Sequence, residues 1–125
     1  MEALILDASV LIGLLDTADP HHDRAIDEVE AADREGQQLL LPASAYSETL
    51  VAFARALRLD EARQAIAAMG VTVVALTDTI AERAAELRAR HNRLRLPDAI
   101  VFATAQELGG RLLSYDRRLS QLAGK

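Results

Sequence analysis

Short apolar segments alternate with helix-length segments along the whole 125-residue chain, and this alternation limits its possible folds more than any other feature. Ala3–Leu6 and the β-branched run Val71–Ala75 are predicted to be buried strands. Repeated strand–helix alternation is typical of a parallel sheet with helices on both faces. The other predicted strands are Gln38–Leu41 and Arg111–Ser114.

The segments between these strands have helical periodicity and recognisable start and stop residues. Asp60 is expected to cap one helix at its N-terminus, and Gly70 to end it. No linker, repeat or low-complexity tract interrupts the pattern, so we predict a single α/β domain over residues 1–125. The predicted helices are Ser9–Leu15, His21–Arg34, Ser44–Leu57, Asp60–Met69, one from Thr77 to near His91, one from Pro97 to Gly109, and one from about Asp116.

Composition excludes several classes of protein. The chain has no cysteine, which rules out disulfide frameworks and thiolate chemistry. Its apolar N-terminal run is too short and too acidic for a signal peptide, and no segment approaches the roughly 20 apolar residues of a membrane helix. We therefore expect a cytoplasmic protein that does not associate with membranes.

The helix that begins at Pro97 is apolar on almost every side yet carries Asp98 in its first turn. This carboxylate could simply stabilise the helix N-terminus, where an acid contributes about 0.3–1 kcal/mol. At about 100° per residue it also lies on one stripe with Val101, Phe102 and Ala105, which would direct it toward the interior or a cleft. Asp98 by itself does not decide between the two interpretations.

Two further aspartates follow predicted strands, Asp7 after the first and Asp116 after the last. Each could merely cap the next helix. However, ligands of parallel sheets bind beyond the carboxyl ends of the strands, so Asp7, Asp98 and Asp116 are expected at one edge. Neighbouring carboxylates repel one another, and hard divalent cations such as Mg²⁺ or Mn²⁺ relieve that repulsion. The three histidines form no convincing metal cluster.

Periodicity alone gives Glu48 no role. It lies opposite the stripe formed by Tyr46, Leu50, Phe53 and Leu57, so the pattern places it in solvent or facing Arg55.

The net charge of −5 argues weakly against binding to nucleic acid, but the charge is unevenly distributed. Most of the acids lie in the first half and most of the bases in the second. A cluster of arginines precedes Asp98, and more follow Asp116. The simple interpretation is a solvated helix end and loop; the functional one is a phosphate-contacting surface beside a site.

Four motifs together resemble the PIN-domain ribonucleases, specifically the small VapC-type toxins of type II toxin–antitoxin pairs. They are LILDASVLIGLL, AYSETL, RLPDAIVFATA and LLSYDRRL, in the family's order and spanning essentially the whole chain. The resemblance implies an α/β/α sandwich with a central parallel sheet. It also implies metal-dependent hydrolysis of RNA phosphodiesters that leaves 5′-phosphate and 3′-hydroxyl ends.

By motif position, the resemblance assigns a role to each acid. Asp7, Asp98 and Asp116 would hold Mg²⁺ or Mn²⁺, and Glu48 would complete the metal shell or orient the attacking water, contrary to its periodicity. Ser9 and Ser114 would supply supporting hydroxyl groups. At the position of Ser114 the family often has threonine. The bases expected to hold the RNA backbone are Arg88, Arg90, Arg93, Arg95, Arg117 and Arg118.

The resemblance further implies a homodimer and a cognate VapB-type antitoxin whose C-terminal segment wraps apolar helices of the toxin. The Ala- and Leu-rich segment 50–69 is a plausible surface for it, although most of those residues should pack in the core.

Other functions fit less well. A haloacid-dehalogenase phosphatase needs a second aspartate where this chain has Ser9, a receiver domain needs a neighbouring acid pair, and a nucleotide-binding module needs a glycine-rich first turn. Flap-type DNA nucleases are usually larger. The strongest alternative is a catalytically silent PIN fold that binds RNA or a partner protein.

Overall fold

A computed structural model describes residues 2–123 and contains a four-stranded, fully parallel sheet flanked by seven helices within that range. This confirms the predicted α/β fold with a central parallel sheet. The strands are β1 (Ala3–Leu6), β2 (Gln38–Pro42), β3 (Val71–Val74) and β4 (Arg111–Leu113). The helices are α1 (Ala8–Leu15), α2 (His22–Arg34), α3 (Ala43–Arg55), α4 (Leu59–Ala68), α5 (Asp78–Arg90), α6 (Leu96–Leu108) and α7 (Arg117–Ala123).

The strand order β3-β2-β1-β4 determines where a site can form. The chain runs from β1 outward to β2 and β3, and then returns to place β4 on the other side of β1. Right-handed crossovers put the connections before and after this reversal on opposite faces of the sheet. A crevice therefore opens between the carboxyl ends of β1 and β4, the usual ligand position in sheets of this kind.

The central strand β1 forms the middle of the core. All four of its side chains are buried, and Ile5 pairs with Leu40 of β2 and with Leu112 of β4. A strand covered on both faces needs an uninterrupted apolar run, and Ala-Leu-Ile-Leu supplies it.

Helix α6 packs in the interior, as its apolar composition predicts. Ala99, Val101 and Ala103 are fully buried along it. The helix ends at Gly109, whose φ of 65° is the left-handed conformation that glycine adopts at little cost.

Two local predictions are wrong. Helix α4 begins at Leu59 with Arg58 as its N-cap, so Asp60 lies inside the first turn and pairs with Arg63 rather than capping the helix. Helix α3 ends before Leu57, which turns into the left-handed region with φ of 59° and is 94% exposed. Leu57 therefore does not continue the buried stripe of that helix.

Within residues 2–123, no helix is both long and apolar enough to cross a membrane.

Candidate active site

Asp7 is buried at the end of the central strand and held there by several hydrogen bonds. It directly follows β1, is only 5% exposed, and caps α1 by accepting a hydrogen bond from the backbone N–H of Val10 at 3.2 Å. Its carboxylate also accepts hydrogen bonds from the hydroxyl of Ser9, at 2.6 Å, and from the hydroxyl of Ser114 at the end of β4. The predicted supporting hydroxyls thus contact this acid from both neighbouring elements.

Burial raises the pKa of Asp7 above its ordinary value of 3.8. The hydrogen bonds from Ser114, Ser9 and Val10 oppose the rise because they favour the ionised form. The negative charge of Asp98 adds to it. Asp7 therefore sits where a negative charge is costly and a nearby cation would be stabilising.

Asp98 lies in the first turn of α6 with its side chain 15% exposed, at the edge of a cavity of about 670 Å³. This confirms that it faces a cleft. Its carboxylate pairs with the guanidinium of Arg95, with Nε–Oδ2 and Nη2–Oδ1 distances of 3.1 and 3.4 Å. The same Arg95 Nη2 lies 3.1 Å from Oε2 of Glu48.

One guanidinium therefore spans two carboxylates that are 50 residues apart in the chain. The hydrogen bonds and charges of Asp98 and Glu48 raise the pKa of Arg95, which keeps this side chain cationic. A cation already stands between two of the predicted acids, which indicates that their position favours positive charge.

Glu48 is placed at the site by the packing of α3 against α6. The hydroxyl of Ser44 donates a hydrogen bond to the carbonyl of Pro97 at 3.1 Å, which joins the N-termini of the two helices. Ala45 and Thr49, on either side of Glu48, are the buried residues of α3. Periodicity places Glu48 in solvent or facing Arg55; in the structure its side chain is 31% exposed and pairs with Arg95 instead.

Asp116 performs the capping role that its position allows. Its Oδ1 accepts hydrogen bonds from the backbone N–H groups of Arg118 and Leu119, at 2.9 and 3.4 Å, at the start of α7. Its own N–H donates to the hydroxyl of Ser114 at 3.0 Å. Ser114 therefore links Asp116 to Asp7 through a single side chain.

The donor set matches a hard cation in its chemistry: carboxylates and hydroxyls, with no sulfur. Nevertheless, no three histidine, aspartate or glutamate side chains of residues 2–123 converge on one point at metal-binding distance. Arg95 lies between Glu48 and Asp98, and Asp116 is engaged with α7. The assignment of Asp7, Asp98 and Asp116 as metal ligands stays a prediction.

The predicted RNA-contacting arginines lie in different surroundings. Arg93 and Arg118 line the cavity beside Asp98, whereas Arg95 is held by the acids. Arg90 pairs with Glu86 on the surface of α5, and Arg88 is exposed in the last turn of that helix. Arg117 lines a second cavity, beside Ser114.

Sequence reasoning missed a cluster around Tyr115. The ring of His21 stacks on Tyr115 with centroids 4.6 Å apart, and Arg24 lies 4.7 Å from the same ring. The position of Tyr115 between Ser114 and Asp116 is the signal that could have found it.

The protein thus has a parallel α/β fold with a buried aspartate at the switch point of the sheet and further acids around it. A site of this kind suits cation-assisted chemistry on phosphate esters. A comparison with known families agrees with this architecture. The PIN-domain family matches residues 4–125, and the chain belongs to this family. No curated protein matches the sequence significantly.

Solved structures of other proteins share the fold. VapC20 of Mycobacterium tuberculosis, described as a sarcin–ricin loop cleaving toxin, superposes with a TM-score of 0.75 at 20% identity, covering 96% of this chain and 95% of its own. A chain of a toxin–antitoxin complex from Klebsiella pneumoniae superposes with a TM-score of 0.71 at 24% identity, covering 91% of this chain and 87% of its own. At these identities the likeness concerns the fold.

Proposed function

We propose that this protein is a divalent-metal-dependent endoribonuclease and the toxin of a toxin–antitoxin pair. One observation carries the proposal: Asp7 is buried at the switch point of the sheet, within the electrostatic influence of Asp98, and a cation spans Asp98 and Glu48. The acids thus favour positive charge at the position where open parallel sheets bind ligands.

Asp7, Asp98 and Asp116 are the residues that would hold Mg²⁺ or Mn²⁺. When bound, such an ion activates water and neutralises charge on the phosphodiester. Ser9 and Ser114 keep the carboxylate of Asp7 in one orientation through their hydrogen bonds. A fixed carboxylate loses little freedom when it engages a ligand, which favours catalysis.

Glu48 and Arg95 have roles that depend on each other. While Arg95 pairs with Glu48 and Asp98, it neutralises them. Once Arg95 is released, its planar guanidinium suits a phosphate of the RNA backbone. Glu48 is then free to accept a hydrogen bond from water near the cleaved phosphate.

The structural relatives support the assignment to a toxin. VapC20 is described as a sarcin–ricin loop cleaving toxin, and the Klebsiella structure is a toxin–antitoxin complex. We extend RNA cleavage and an antitoxin partner to this chain as part of the proposal, with cellular RNA in the cytoplasm as the substrate and a homodimer as the assembly.

The antitoxin surface is proposed on α3 and the turn that follows it. A cavity of about 330 Å³ lies between α1 and α3 and is lined by apolar side chains such as Ile12, Leu15 and Phe53. Glu48 borders the same cavity, so an apolar segment docked there would reach the acids.

A catalytically silent PIN fold that binds RNA is the second candidate. It is favoured by the ion pairs of Arg95, which neutralise two acids without a metal, and by the lack of a three-residue metal cluster within residues 2–123.

An assay of total cellular RNA cleavage by the purified protein distinguishes the ribonuclease from the silent RNA-binding fold. We expect discrete fragments in Mg²⁺ or Mn²⁺ and none with chelator. Asp98→Asn should slow cleavage by about 100-fold or more, as expected for removing a charged group that acts on the transition state. Asp33→Asn, on the exposed surface of α2, is the matched control and should cleave like wild type.

Circular dichroism would show that both variants fold. Cleavage that is equal in Asp98→Asn and in wild type would overturn the assignment of the site. RNA binding without cleavage in any metal would favour the silent module.

A further inference from the structure

The aromatic cluster beside Ser114 is held together by contacts that the proposed chemistry does not use. The hydroxyl of Tyr115 donates a hydrogen bond to Glu28 of α2 at 2.8 Å, and Nε of Arg24 donates to the same carboxylate oxygen at 2.9 Å. His21 stacks on the Tyr115 ring at an interplanar angle of 20°. Burial, with the adjacent Glu28, raises the pKa of Tyr115, so its hydroxyl stays protonated.

A cavity of about 360 Å³ adjoins this cluster. Its lining includes His21, Arg24, Tyr115, Arg117 and Gln121, and no aspartate or glutamate of residues 2–123 lines it. Glu28 neutralises Arg24 in part, whereas within the described residues Arg117 makes no ion pair. The cavity is therefore a cationic, aromatic surface on a protein whose net charge is −5.

The cavity lies next to the acids. Ser114 lines it and donates a hydrogen bond to Asp7 from the same hydroxyl group. A ligand in the cavity is thus separated from the buried carboxylate by one side chain. A substrate strand that reaches Asp7 would have its neighbouring nucleotide here.

We propose that this cavity binds a nucleotide of the RNA strand next to the cleaved phosphate. The base stacks on the exposed face of the His21 ring, whose other face covers Tyr115, and a backbone phosphate contacts Arg117, with Arg24 beside it. Single-stranded RNA is bound in this way in general, by aromatic stacking combined with arginine contacts to the backbone. The inference deepens the proposed ribonuclease function and rests on it.

The test measures RNA binding separately from cleavage. A fluorescent single-stranded RNA of mixed sequence is titrated with protein in chelator, and its anisotropy is recorded. We expect Arg117→Gln to weaken binding severalfold and to lower the slope of log K against log salt by about 0.7, the value for one lost phosphate contact on a single strand. His21→Ala should weaken binding by about fivefold or more through lost stacking.

Arg34→Gln is the matched control, since Arg34 lies on α2 with Arg24 but at the opposite end of that helix. It should bind RNA like wild type. Photo-crosslinking with 4-thiouridine RNA gives a readout that a purely structural role would not produce. We expect the crosslink to map to His21 or Tyr115.

Binding of Arg117→Gln and His21→Ala that matches Arg34→Gln, or a crosslink that maps elsewhere, would overturn the subsite, even if wild type cleaves RNA. Loss of binding in these variants, with no cleavage by wild type, would retain the subsite and reject the ribonuclease. No RNA binding by wild type would reject both.

Discussion

Opposing interactions act on the ionisation of the Asp7 carboxyl group. Three hydrogen bonds favour its ionised form, while burial and the charge of Asp98 oppose it, and burial is the largest effect. An acid held in this state is poorly suited to stabilising the fold and well suited to receiving a cation. Its surroundings therefore point to function rather than to packing.

We predict that Asp7→Asn makes the protein more stable at neutral pH by about 1 kcal/mol, because asparagine removes the buried charge and keeps most of the hydrogen bonds. Folding raises the pKa of Asp7 above 3.8, so the folded protein binds a proton at this carboxyl group more tightly than the unfolded chain does. The resulting stabilisation of wild type is complete at pH values below 3.8. That stabilisation is lost as the pH rises through the folded pKa. Urea unfolding at neutral pH and below 3.8 should show the difference between the variants disappearing in acid.

Asp33→Asn, at an exposed position, should show no such pH-dependent difference. If Asp7→Asn were less stable than wild type at neutral pH, the hydrogen bonds of the carboxylate would outweigh its burial.

Arg95 acts as the counter-cation of the site. We predict that Arg95→Gln binds Mn²⁺ about three- to tenfold more tightly, because each half-exposed ion pair that the metal must displace contributes about 0.2–1 kcal/mol. Calorimetric titration measures this without any reaction. Arg34→Gln is the control, and unchanged or weaker Mn²⁺ binding in Arg95→Gln would show that the guanidinium does not compete with the metal.

At the scale of elements, the order and type of the helices and strands followed from sequence patterns. Strand β1 was evident from its unbroken apolar run, and α6 from its proline start and glycine stop. The predictions failed at residues whose side-chain position is determined by tertiary contacts. The position of Glu48 depends on the hydrogen bond from Ser44 to Pro97 that joins α3 to α6, and that of Tyr115 on contacts with residues almost a hundred positions away. Neither effect leaves a local periodic signal.

The pairing of β4 with β1 brings Ser114 to Asp7, and Gly110 permits that approach. A Cβ atom at position 110 would lie 3.0 Å from the carbonyl oxygen of Ala3 and 3.0 Å from Cγ1 of Ile5. We predict that Gly110→Ala lowers the free energy of unfolding by about 1–3 kcal/mol, as for other overpacked positions. It should also slow cleavage, because β4 must move away from β1. Urea unfolding and cleavage rates measure the two effects.

Gly109→Asn is the neighbouring control: asparagine tolerates the left-handed conformation, and nothing lies within 4 Å of its Cβ position. Wild-type stability in Gly110→Ala would mean that the sheet adjusts without cost.

At the scale of the whole molecule, acids and bases are segregated along the chain, and the fold turns this into a spatial arrangement. Helix α2 is rich in acids, while arginines line the cavities on both sides of the site. The surrounding acids should repel RNA that approaches elsewhere. Specific placement of a few cations can thus bring an anionic substrate to an acidic protein.

This arrangement predicts that the affinity of the protein for RNA depends only weakly on salt concentration. If the phosphate contacts are made by Arg93, Arg95, Arg117 and Arg118, log K for single-stranded RNA should fall with log salt with a slope of about −2 to −3. Arg118→Gln should reduce the magnitude of that slope by about 0.7. Arg90→Gln should change it less, because Arg90 already pairs with Glu86. Anisotropy titrations over a series of salt concentrations, with Arg34→Gln as control, measure these slopes. Equal slopes for Arg118→Gln and Arg34→Gln would mean that the strand does not pass the cavity beside Asp98, and the path of the RNA would then have to run over another surface.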